Sequence, residues 1–338
     1  MEIAQVSPLH ESVPPKFYGG TERIVSYVTE ELVRRGHNVT LFASGDSETA
    51  AELVSVVDTA LRLGSLEDPL AYHTLQLGEL AKRRDQFDVI HFHLAFEHFP
   101  LARQLAVPQL TTMHGRADIP SLQAVFRGFT DMPIVSISDY QRMPIPYANW
   151  LATIYHGLPV DHYTYRQTAE HYLAYIGRAS PEKGLDRAIE IATGCGMNIK
   201  VAAKVDEVDQ DYFDKCVKPL LEHSHVEYMG EITVAQKDEL LGNALAVLFP
   251  IEWPEPFGLV MIEAMACGTP VIAFSQGSVP EVISNGETGF IVNNVDEAIK
   301  AVDKIHTISR ECCRYIFETR FSDKRMTDEY LKIYETLI

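Results

Sequence analysis

Short apolar segments alternate with amphipathic segments along this chain of 338 residues, and that alternation restricts the fold more than any other feature. Residues 2–7 (EIAQVS) predict a buried strand, and a loop containing Gly19 and Gly20 follows. Residues 21–35 have the periodicity of a helix, and the segment NVTLFAS predicts the next strand. A strand, a loop, a helix and a strand in that order indicate an α/β protein with a parallel sheet.

The alternation continues in two series separated by the polar connector 157–168. The first series adds QFDVIHFHL, PQLTTMH and PIVSIS, and the second contains LAYIG, KVAA, VEYMG, AVLFP, PVIAF and FIV. We therefore predict two Rossmann-like, doubly wound domains that face each other across a cleft, spanning 1–160 and 161–320. An amphipathic C-terminal helix in 321–338 is expected to pack back toward the N-terminal domain.

Two cations follow the first strand of the second series, in the segment GRASPEKG. Ser180 is predicted to cap a helix that starts at Pro181, so that Arg178 and Lys183 flank the helix start. Backbone amides and two cations at one helix start form a site for an anion, and a diphosphate fits such a site.

Two carboxylates lie in the segment AVLFPIEWPEPFGLVMIEAMACGTPVIAF. Glu255 is expected at a strand-to-helix turn, and Glu263 lies eight residues later in the helix that Gly268 ends. A carboxylate accepts two hydrogen bonds, so each side chain suits the vicinal hydroxyls of a ribose or a hexose. Gly258 leaves room for a phosphate to approach the backbone.

Charge and composition exclude several classes of partner. The formal net charge of −18 argues against binding to nucleic acid or to an anionic membrane surface. The five cysteines are scattered, no signal peptide is recognised, and no apolar run approaches the roughly 20 residues of a membrane span. We expect a cytoplasmic protein without a transmembrane segment. The acidic run DEVDQDYFD (206–214) predicts a solvated face.

The ordered set of motifs resembles one known family. GRASPEKG, the element from Glu255 to Glu263, EAMACGTPVIA and GSVPEVISNGETGFIV resemble the retaining glycosyltransferases of family 4, which have the GT-B fold. YGGTE, DVIHFH, TTMHG, VSISDYQR and YHGLPVDHY resemble the corresponding N-terminal segments in the same order. One departure is visible, because many members have Gly-Gly where this chain has Gly277 followed by Ser278.

The resemblance implies a role for each matching residue. Arg178 and Lys183 would hold the donor diphosphate, Glu255 would meet hydroxyls of the donor sugar, and Glu263 would meet the ribose. The remaining donor-site residues implied are Gly19, Gly20, His93, Phe257, Gly258 and Leu259. The catalytic set would comprise His114, facing the transferred sugar, together with Glu255, Arg178 and Lys183. Loops 9–17 and 117–128 are expected on the acceptor side.

A metal is not part of this prediction. His91 and His93 lie on one face of a predicted strand, but the sequence offers no third ligand, and no DxD-type pair is placed to hold a divalent ion. His91 is expected to be a hydrogen-bonded core residue, whereas His93 is expected at the cleft. No cofactor is expected besides the sugar nucleotide that serves as substrate.

The predicted function is a retaining, metal-independent transfer of a hexose, with glucose the first choice, from a nucleotide diphosphate sugar, with UDP favoured. The acceptor would be a sugar hydroxyl of a carbohydrate or glycolipid in polysaccharide or glycoconjugate biosynthesis. The alternatives are a GT-B-fold nucleotide-sugar isomerase or epimerase and a non-catalytic nucleotide-sugar-binding protein. A monomer and a homodimer are equally compatible with the sequence.

Overall fold

The computed structural model describes residues 1–16, 18–62 and 68–338. Two units divide the chain. Unit 1 comprises Met1–Leu158 and Asp323–Ile338, and unit 2 comprises Pro159–Ser322. The C-terminal segment therefore belongs to the first unit, and the predicted loop 9–17 includes Phe17, which lies outside the described residues.

Unit 1 is built around one parallel sheet, which has seven strands in the described part of the chain. Its strand order is β3-β2-β1-β4-β5-β6-β7. The strands are β1 (Glu2–Val6), β2 (Asn38–Phe42), β3 (Glu52–Val54), β4 (Val89–Phe92), β5 (Gln109–Thr112), β6 (Ile134–Ser136) and β7 (Trp150–Thr153). The helices are α1 (Gly20–Arg34), α2 (Pro69–Arg83), α3 (Phe99–Ala102), α4 (Pro120–Gly128) and α5 (Asp139–Arg142).

Unit 2 has a six-stranded parallel sheet with the order β10-β9-β8-β11-β12-β13. Its strands are β8 (Tyr172–Arg178), β9 (Asn198–Lys204), β10 (Val226–Gly230), β11 (Ala246–Phe249), β12 (Val271–Phe274) and β13 (Gly289–Val292). Its helices are α6 (Leu185–Cys195), α7 (Gln210–Tyr212), α8 (Val234–Asn243), α9 (Leu259–Ala266), α10 (Val279–Val282), α11 (Val295–Lys304) and α12 (Arg310–Arg320).

The predicted fold class is confirmed, since both units are α/β with parallel sheets. Each segment predicted as a strand forms one. Sequence reasoning missed β3 and β7, which are the two edge strands of unit 1. These strands have three and four residues with partly exposed side chains, so they lack the continuous apolar run that marks a central parallel strand.

The last helix, α13 (Asp323–Leu337), packs within unit 1. Tyr330 and Tyr334 on its inner face are completely buried. At its start, the backbone amide of Asp323 donates to the carbonyl of Leu158 at 2.9 Å. The Arg325 guanidinium donates to the carbonyl of Tyr155 at 2.6 Å. These contacts make α13 part of the unit 1 core.

One arginine of α12 bonds to several carbonyls of the polar connector 157–168 and of the adjoining helix in unit 2. The Arg314 guanidinium donates to the carbonyls of Val160 at 2.9 Å, Tyr163 at 3.1 Å and Ala266 at 2.6 Å. Backbone carbonyls that are removed from water need donors, and a guanidinium supplies five in a planar fork. The connector is therefore held against the end of α9.

Close packing of β13 against β12 leads to a prediction about the stability of unit 2. A Cβ atom at Gly289 would lie 1.9 Å from the carbonyl oxygen of Val271, and the backbone there cannot move without breaking the sheet. We expect Gly289→Ala to lower the free energy of unfolding of unit 2 by about 3 kcal/mol or more. Urea denaturation in a Trp150→Phe background checks this, because Trp253 then reports on unit 2.

The matched control is Gly196→Ala, in the same unit. Gly196 has a left-handed backbone (φ +64°), but a Cβ there meets no atom within 4 Å. Its cost should be limited to about 1 kcal/mol of backbone strain. Equal losses in the two variants would contradict the packing argument.

Candidate active site

In each sheet the strand order changes direction beside the first strand of the unit. The change lies between β1 and β4 in unit 1 and between β8 and β11 in unit 2. Loops from neighbouring strands diverge at such a point, which leaves a crevice at the carboxyl ends where ligands bind in open α/β sheets. The predicted residues follow these strands: Arg178 ends β8, Glu255 lies in the loop after β11, and His93 and His114 follow β4 and β5.

Arg178 lies among three carboxylates. It forms an ion pair with Glu182, its Nε lies 3.1 Å from Oδ2 of Asp209, and its Nη1 lies 3.8 Å from Oδ2 of Asp206. Burial acts to lower the pKa of Arg178, but these carboxylates outweigh burial and raise it. The prediction of a solvated face for 206–214 was therefore wrong at Asp209, which is buried against Arg178.

The helix predicted to start at Pro181 does not start there. Pro181–Lys183 form a single 3-10 turn, and the Ser180 side chain makes no capping hydrogen bond to it. The α-helix begins at Leu185, after Gly184, whose backbone is left-handed (φ +70°). A Cβ at Gly184 would lie 2.3 Å from the carbonyl oxygen of Pro250, so close approach of the loop after β11 requires glycine at this position.

Lys183 and Glu255 contact each other directly. Lys183 Nζ lies 2.5 Å from Glu255 Oε2, and the same oxygen accepts a hydrogen bond from Trp253 Nε1 at 2.6 Å. Lys183 Nζ also lies 4.3 Å from the centre of the Trp253 ring. The Glu252 amide donates to the carbonyl of Glu182 at 2.8 Å, which joins the two loops. The predicted diphosphate cation and the predicted sugar carboxylate thus form one prearranged cluster.

The turn before α9 depends on two glycines. Gly258 has a left-handed backbone (φ +81°) and immediately precedes Leu259, the first residue of α9. A Cβ at Gly277 would lie 2.3 Å from the carbonyl oxygen of Glu255, so the loop after β12 packs directly on the Glu255 backbone. The amides of Phe257, Gly258 and Leu259 belong to the helix start, where backbone N–H groups have no carbonyl partner within the helix.

Ser278, the departure from the Gly-Gly pattern, bonds to the same turn. Its amide donates to the carbonyl of Glu255 at 3.0 Å, and its hydroxyl donates to the carbonyl of Phe257 at 2.8 Å. The serine hydroxyl adds a contact that a second glycine could not make. This substitution therefore reinforces the Glu255 turn.

Glu263 is a buried carboxylate within unit 2. It is 4% exposed, and its Oε1 accepts hydrogen bonds from Lys237 Nζ at 2.6 Å and from the Tyr163 hydroxyl at 2.8 Å. Lys237 and Tyr163 hold the carboxylate in one orientation, as a group that binds a ribose edge would require. Sequence reasoning did not identify either of them.

In unit 1, His114 is held by two other histidines. His93 Nδ1 lies 2.9 Å from His114 Nε2, and the His156 ring stacks on the His114 ring at a centroid distance of 5.2 Å. Burial lowers the pKa of His114 to about 3, so the ring is neutral near pH 7. His93 differs from the prediction: it is 3% exposed, and Gln5 occupies its other nitrogen at 2.8 Å. Both ring nitrogens of His93 thus bond within unit 1, one to His114 and one to Gln5.

The backbone on both sides of His114 is fixed by Gln141, which sequence reasoning missed. Gln141 Nε2 donates to the carbonyls of Met113 at 2.8 Å and Gly115 at 2.7 Å. Its Oε1 accepts from the amide of Ile137 at 2.9 Å. The segment VSISDYQR was noticed as a motif, but the sequence alone did not show that its glutamine brackets the histidine 27 positions earlier.

The helix α1 begins at Gly20, one residue before the start that the sequence predicts, and Gly19 is its N-cap residue. Gly20 is the first helical residue, and a Cβ at Gly19 would lie 2.7 Å from Cβ of Pro15. Close contact with the preceding loop thus requires glycine at position 19. Glu22, in the first turn of the same helix, is 6% exposed. Burial above all, and the nearby Glu11 carboxylate, raise the pKa of Glu22 to about 7.

His91 is a core residue, as predicted. It is completely buried, and its ring nitrogens bond to the Tyr334 hydroxyl at 2.7 Å and the Thr112 hydroxyl at 2.8 Å. In the described part of the chain, no group of three or more His, Cys, Asp or Glu side chains is arranged to hold a metal ion. No helix among the described residues has the length and apolar character needed to cross a membrane.

Comparisons with known proteins agree with this architecture. The model of the family described as glycosyl transferases group 1 matches residues 165–318, and the model described as Glycosyltransferase Family 4 matches residues 18–174. An uncharacterised 41.2 kDa protein in the cps region of Klebsiella pneumoniae is 29% identical over 171 residues, which are 48% of this chain and 46% of that protein.

Two further likenesses extend over nearly the whole chain. The N-acetyl-alpha-D-glucosaminyl L-malate synthase of Bacillus anthracis is 24% identical over 94% of this chain and 93% of its own. The crystal structure of Anabaena HepE in complex with UDP-glucose is 17% identical, covers 100% of both chains and has a TM-score of 0.75.

The two parallel-sheet α/β units have the GT-B fold of the structural neighbours, and the family and relative matches identify the chain as a glycosyltransferase enzyme. The chain belongs to the family 4 type of glycosyltransferases, as the sequence motifs predict.

The raised pKa of Glu22 predicts how stability depends on pH. Folding raises this pKa from 4.5 to about 7, so the folded state binds more protons between these values. The associated stability is fully present below about pH 4.5 and is lost as the pH rises through about 7. Since Gln cannot ionise, Glu22→Gln should gain up to about 3 kcal/mol over the wild type between pH 5 and pH 8.

Urea denaturation at several pH values measures this gain. In a Trp253→Phe background, Trp150 reports on unit 1. The control is Glu48→Gln, which removes an exposed carboxylate from the same unit and should not change the pH dependence. A difference between Glu22→Gln and wild type that does not vary with pH would contradict the prediction.

Proposed function

We propose that this glycosyltransferase moves a hexose, with glucose the first choice, from a UDP-sugar to a sugar hydroxyl, with retention of configuration and without a metal. The acceptor would be a carbohydrate or glycolipid in polysaccharide or glycoconjugate biosynthesis. One observation carries the proposal: Arg178, the Lys183–Glu255 pair and the start of α9 lie on the two loops beside the point where the unit 2 sheet changes direction.

The charge pattern of these loops supports a diphosphate as ligand. Breaking the bond between the anomeric carbon and the phosphate oxygen leaves negative charge on the diphosphate. Two fixed cations and the amides of Phe257, Gly258 and Leu259 would stabilise that charge most where it develops. Their positions are set before the ligand arrives, because Glu255, Trp253 and Glu182 already hold them.

The buried acid supports a nucleoside as the rest of the ligand. Glu263, oriented by Lys237 and Tyr163, would accept hydrogen bonds from the ribose hydroxyls. The UDP-glucose bound in the HepE structure is consistent with uridine as the base and glucose as the sugar. Glu255 would meet hydroxyls of the transferred sugar, and so would His114 in unit 1.

The proposed chemistry is attack from the side of the leaving group. The acceptor oxygen bonds to the anomeric carbon while the carbon–phosphate oxygen bond breaks on the same face. The proton of the acceptor hydroxyl passes to the departing phosphate oxygen. His114 is a poor general base because its pKa is about 3, so its task here is to orient the sugar.

Nucleotide binding in EDTA tests the donor site. We expect titration calorimetry to show binding of UDP in preference to GDP and ADP. The variant Arg178→Ala/Lys183→Ala should weaken UDP binding by about 100-fold or more, since each charge-assisted hydrogen bond is worth roughly 1.5–3 kcal/mol.

The matched control removes two other cations from unit 2. Lys215 and Lys218 are exposed and pair with Asp211 and Asp214, and Lys215→Ala/Lys218→Ala changes the net charge by the same amount. This control should bind UDP like the wild type. Absence of UDP binding without a metal, or equal weakening in both double variants, would contradict the proposed metal-free diphosphate site.

The mechanism predicts that no sugar becomes attached to the protein. Intact-mass spectrometry of the enzyme mixed rapidly with UDP-glucose should show unmodified chain only, while the product retains the configuration of the donor. A population heavier by one hexose that disappears when acceptor is added would refute front-face attack. Inversion of configuration would refute it as well.

A further inference from the structure

His114 is one end of a buried chain of hydrogen bonds that crosses unit 1 to α13. The distances along it are 2.9 Å from His114 to His93, 2.8 Å from His93 to Gln5, and 3.1 Å from Gln5 to Tyr334. It continues for 2.7 Å from Tyr334 to His91 and 2.8 Å from His91 to Thr112. The five members beyond His114 are 0–3% exposed: His93, Gln5, Tyr334, His91 and Thr112.

The amide of Gln5 gives this chain a direction. Its Nε2 donates to the Tyr334 hydroxyl oxygen, and its Oε1 faces His93 Nε2. An amide oxygen only accepts, so His93 Nε2 must carry a proton. The Tyr334 oxygen accepts from Gln5, and its single proton is then available for His91 Nδ1.

The rings in the chain are neutral. Burial lowers the pKa of His91 and His93 well below the ordinary value of 6.5, and the neighbouring histidines lower it further. Burial alone lowers the pKa of His114 to about 3. A neutral imidazole has one donor nitrogen and one acceptor nitrogen, so assigning one nitrogen of each ring assigns the other.

The assignment reaches His114 in two steps. Since His93 is protonated at Nε2, its Nδ1 is an acceptor, and the proton between the two rings belongs to His114 Nε2. His114 Nδ1 is then an acceptor. No hydrogen-bond partner reaches this buried nitrogen from the residues that the structure describes. A buried acceptor without a donor is more common than a buried N–H group without an acceptor. This difference favours the same tautomer, in which Nδ1 carries no proton.

We propose that Gln5 and Tyr334 are positioning residues that hold the His114 ring in one orientation, protonated at Nε2 and with Nδ1 as a buried acceptor. The role of this ring at the transferred sugar rests on the proposed function, whereas the tautomer does not. Tyr334 thus acts through Gln5 and His93, at the end of a helix more than 200 positions from His114 in the sequence.

Nitrogen spectra of the imidazole rings test the tautomer directly. The full chain is labelled with ¹⁵N-histidine, and long-range ¹H–¹⁵N correlations at pH 7 distinguish the protonated nitrogen of each ring from the bare one. His114→Gln identifies the His114 signals by their loss. We expect His114 of the wild-type protein to be protonated at Nε2 only. Protonation at Nδ1 would overturn the proposal, because it requires every bond of the chain to run the opposite way.

Two tyrosine variants distinguish the effect of the hydrogen-bond chain from a general effect of packing. Tyr334→Phe removes the acceptor of the Gln5 amide and the donor to His91, so the amide is free to reverse and His114 should show a substantial Nδ1-protonated population. Tyr330→Phe is the matched control, because Tyr330 is equally buried on the same helix and contacts Thr112 at 2.9 Å, beyond the directed segment. His114 should keep its tautomer in this control.

Transfer rates complete the test. Loss of the fixed orientation of His114 should lower kcat/KM for the sugar donor by about 2- to 10-fold in Tyr334→Phe and leave Tyr330→Phe near the wild type. An unchanged His114 tautomer in a folded Tyr334→Phe variant, or the same change in both variants, would overturn the role of Tyr334. If the Nε2 tautomer is found but no sugar transfer occurs, the inference about Gln5 and Tyr334 is upheld and only the proposed function fails.

Discussion

The reversal of strand order beside β1 and beside β8 is the constraint on which the site residues depend. A parallel sheet directs all its carboxyl ends to one edge, and the reversal spreads the loops at a single point of that edge. Arg178 and the loop carrying Glu255 follow the two strands beside the unit 2 reversal. In unit 1, Gly19 and His93 follow β1 and β4, and the neighbouring β5 leads to His114. The pairing of the strands thus determines where each of these residues leaves the sheet.

Charge compensation then determines the state of the proposed donor site. Arg178 and Lys183 each contact carboxylates at hydrogen-bonding or ion-pair distance, so neither cation is left alone at the loop ends. A partly buried cation would otherwise lose hydration without compensation. These partners hold the cations in position, and an incoming diphosphate would compete with Glu182 and Asp209 for Arg178. The site therefore combines preorganisation with an exchange of anionic partners.

The histidines of unit 1 follow a different principle, because burial keeps them neutral. Neutral rings can form a chain of hydrogen bonds in which every proton has one assigned place, as a chain of charged rings could not. Gln141 holds the His114 backbone by bonding to the carbonyls on both sides of it. His93 and His156 hold the ring. The orientation of His114 thus depends on residues near both ends of the polypeptide, Gln5 and Tyr334.

Much of the fold could be predicted from the sequence because its signals are local. Every predicted strand formed, since buried parallel strands are continuous apolar runs. The strands β3 and β7 were missed because each has only three or four residues and no continuous apolar run. The helix after Arg178 was misplaced because Ser180 and Pro181 suit a helix start locally. Contact between Gly184 and Pro250, a neighbour only in the tertiary structure, delays the helix to Leu185.

By itself the sequence determined the α/β class, the membership of a glycosyltransferase family, and the predicted residues of the donor site. Strand periodicity and contiguous motifs encode these properties, and neither depends on distant parts of the chain. Only the tertiary structure decided that His93 contacts His114, that Asp209 faces Arg178, and that the Gln5 amide donates to the Tyr334 hydroxyl. Gln5 and Tyr334 are 329 positions apart, and no local pattern relates two residues whose contact exists only after the chain has folded.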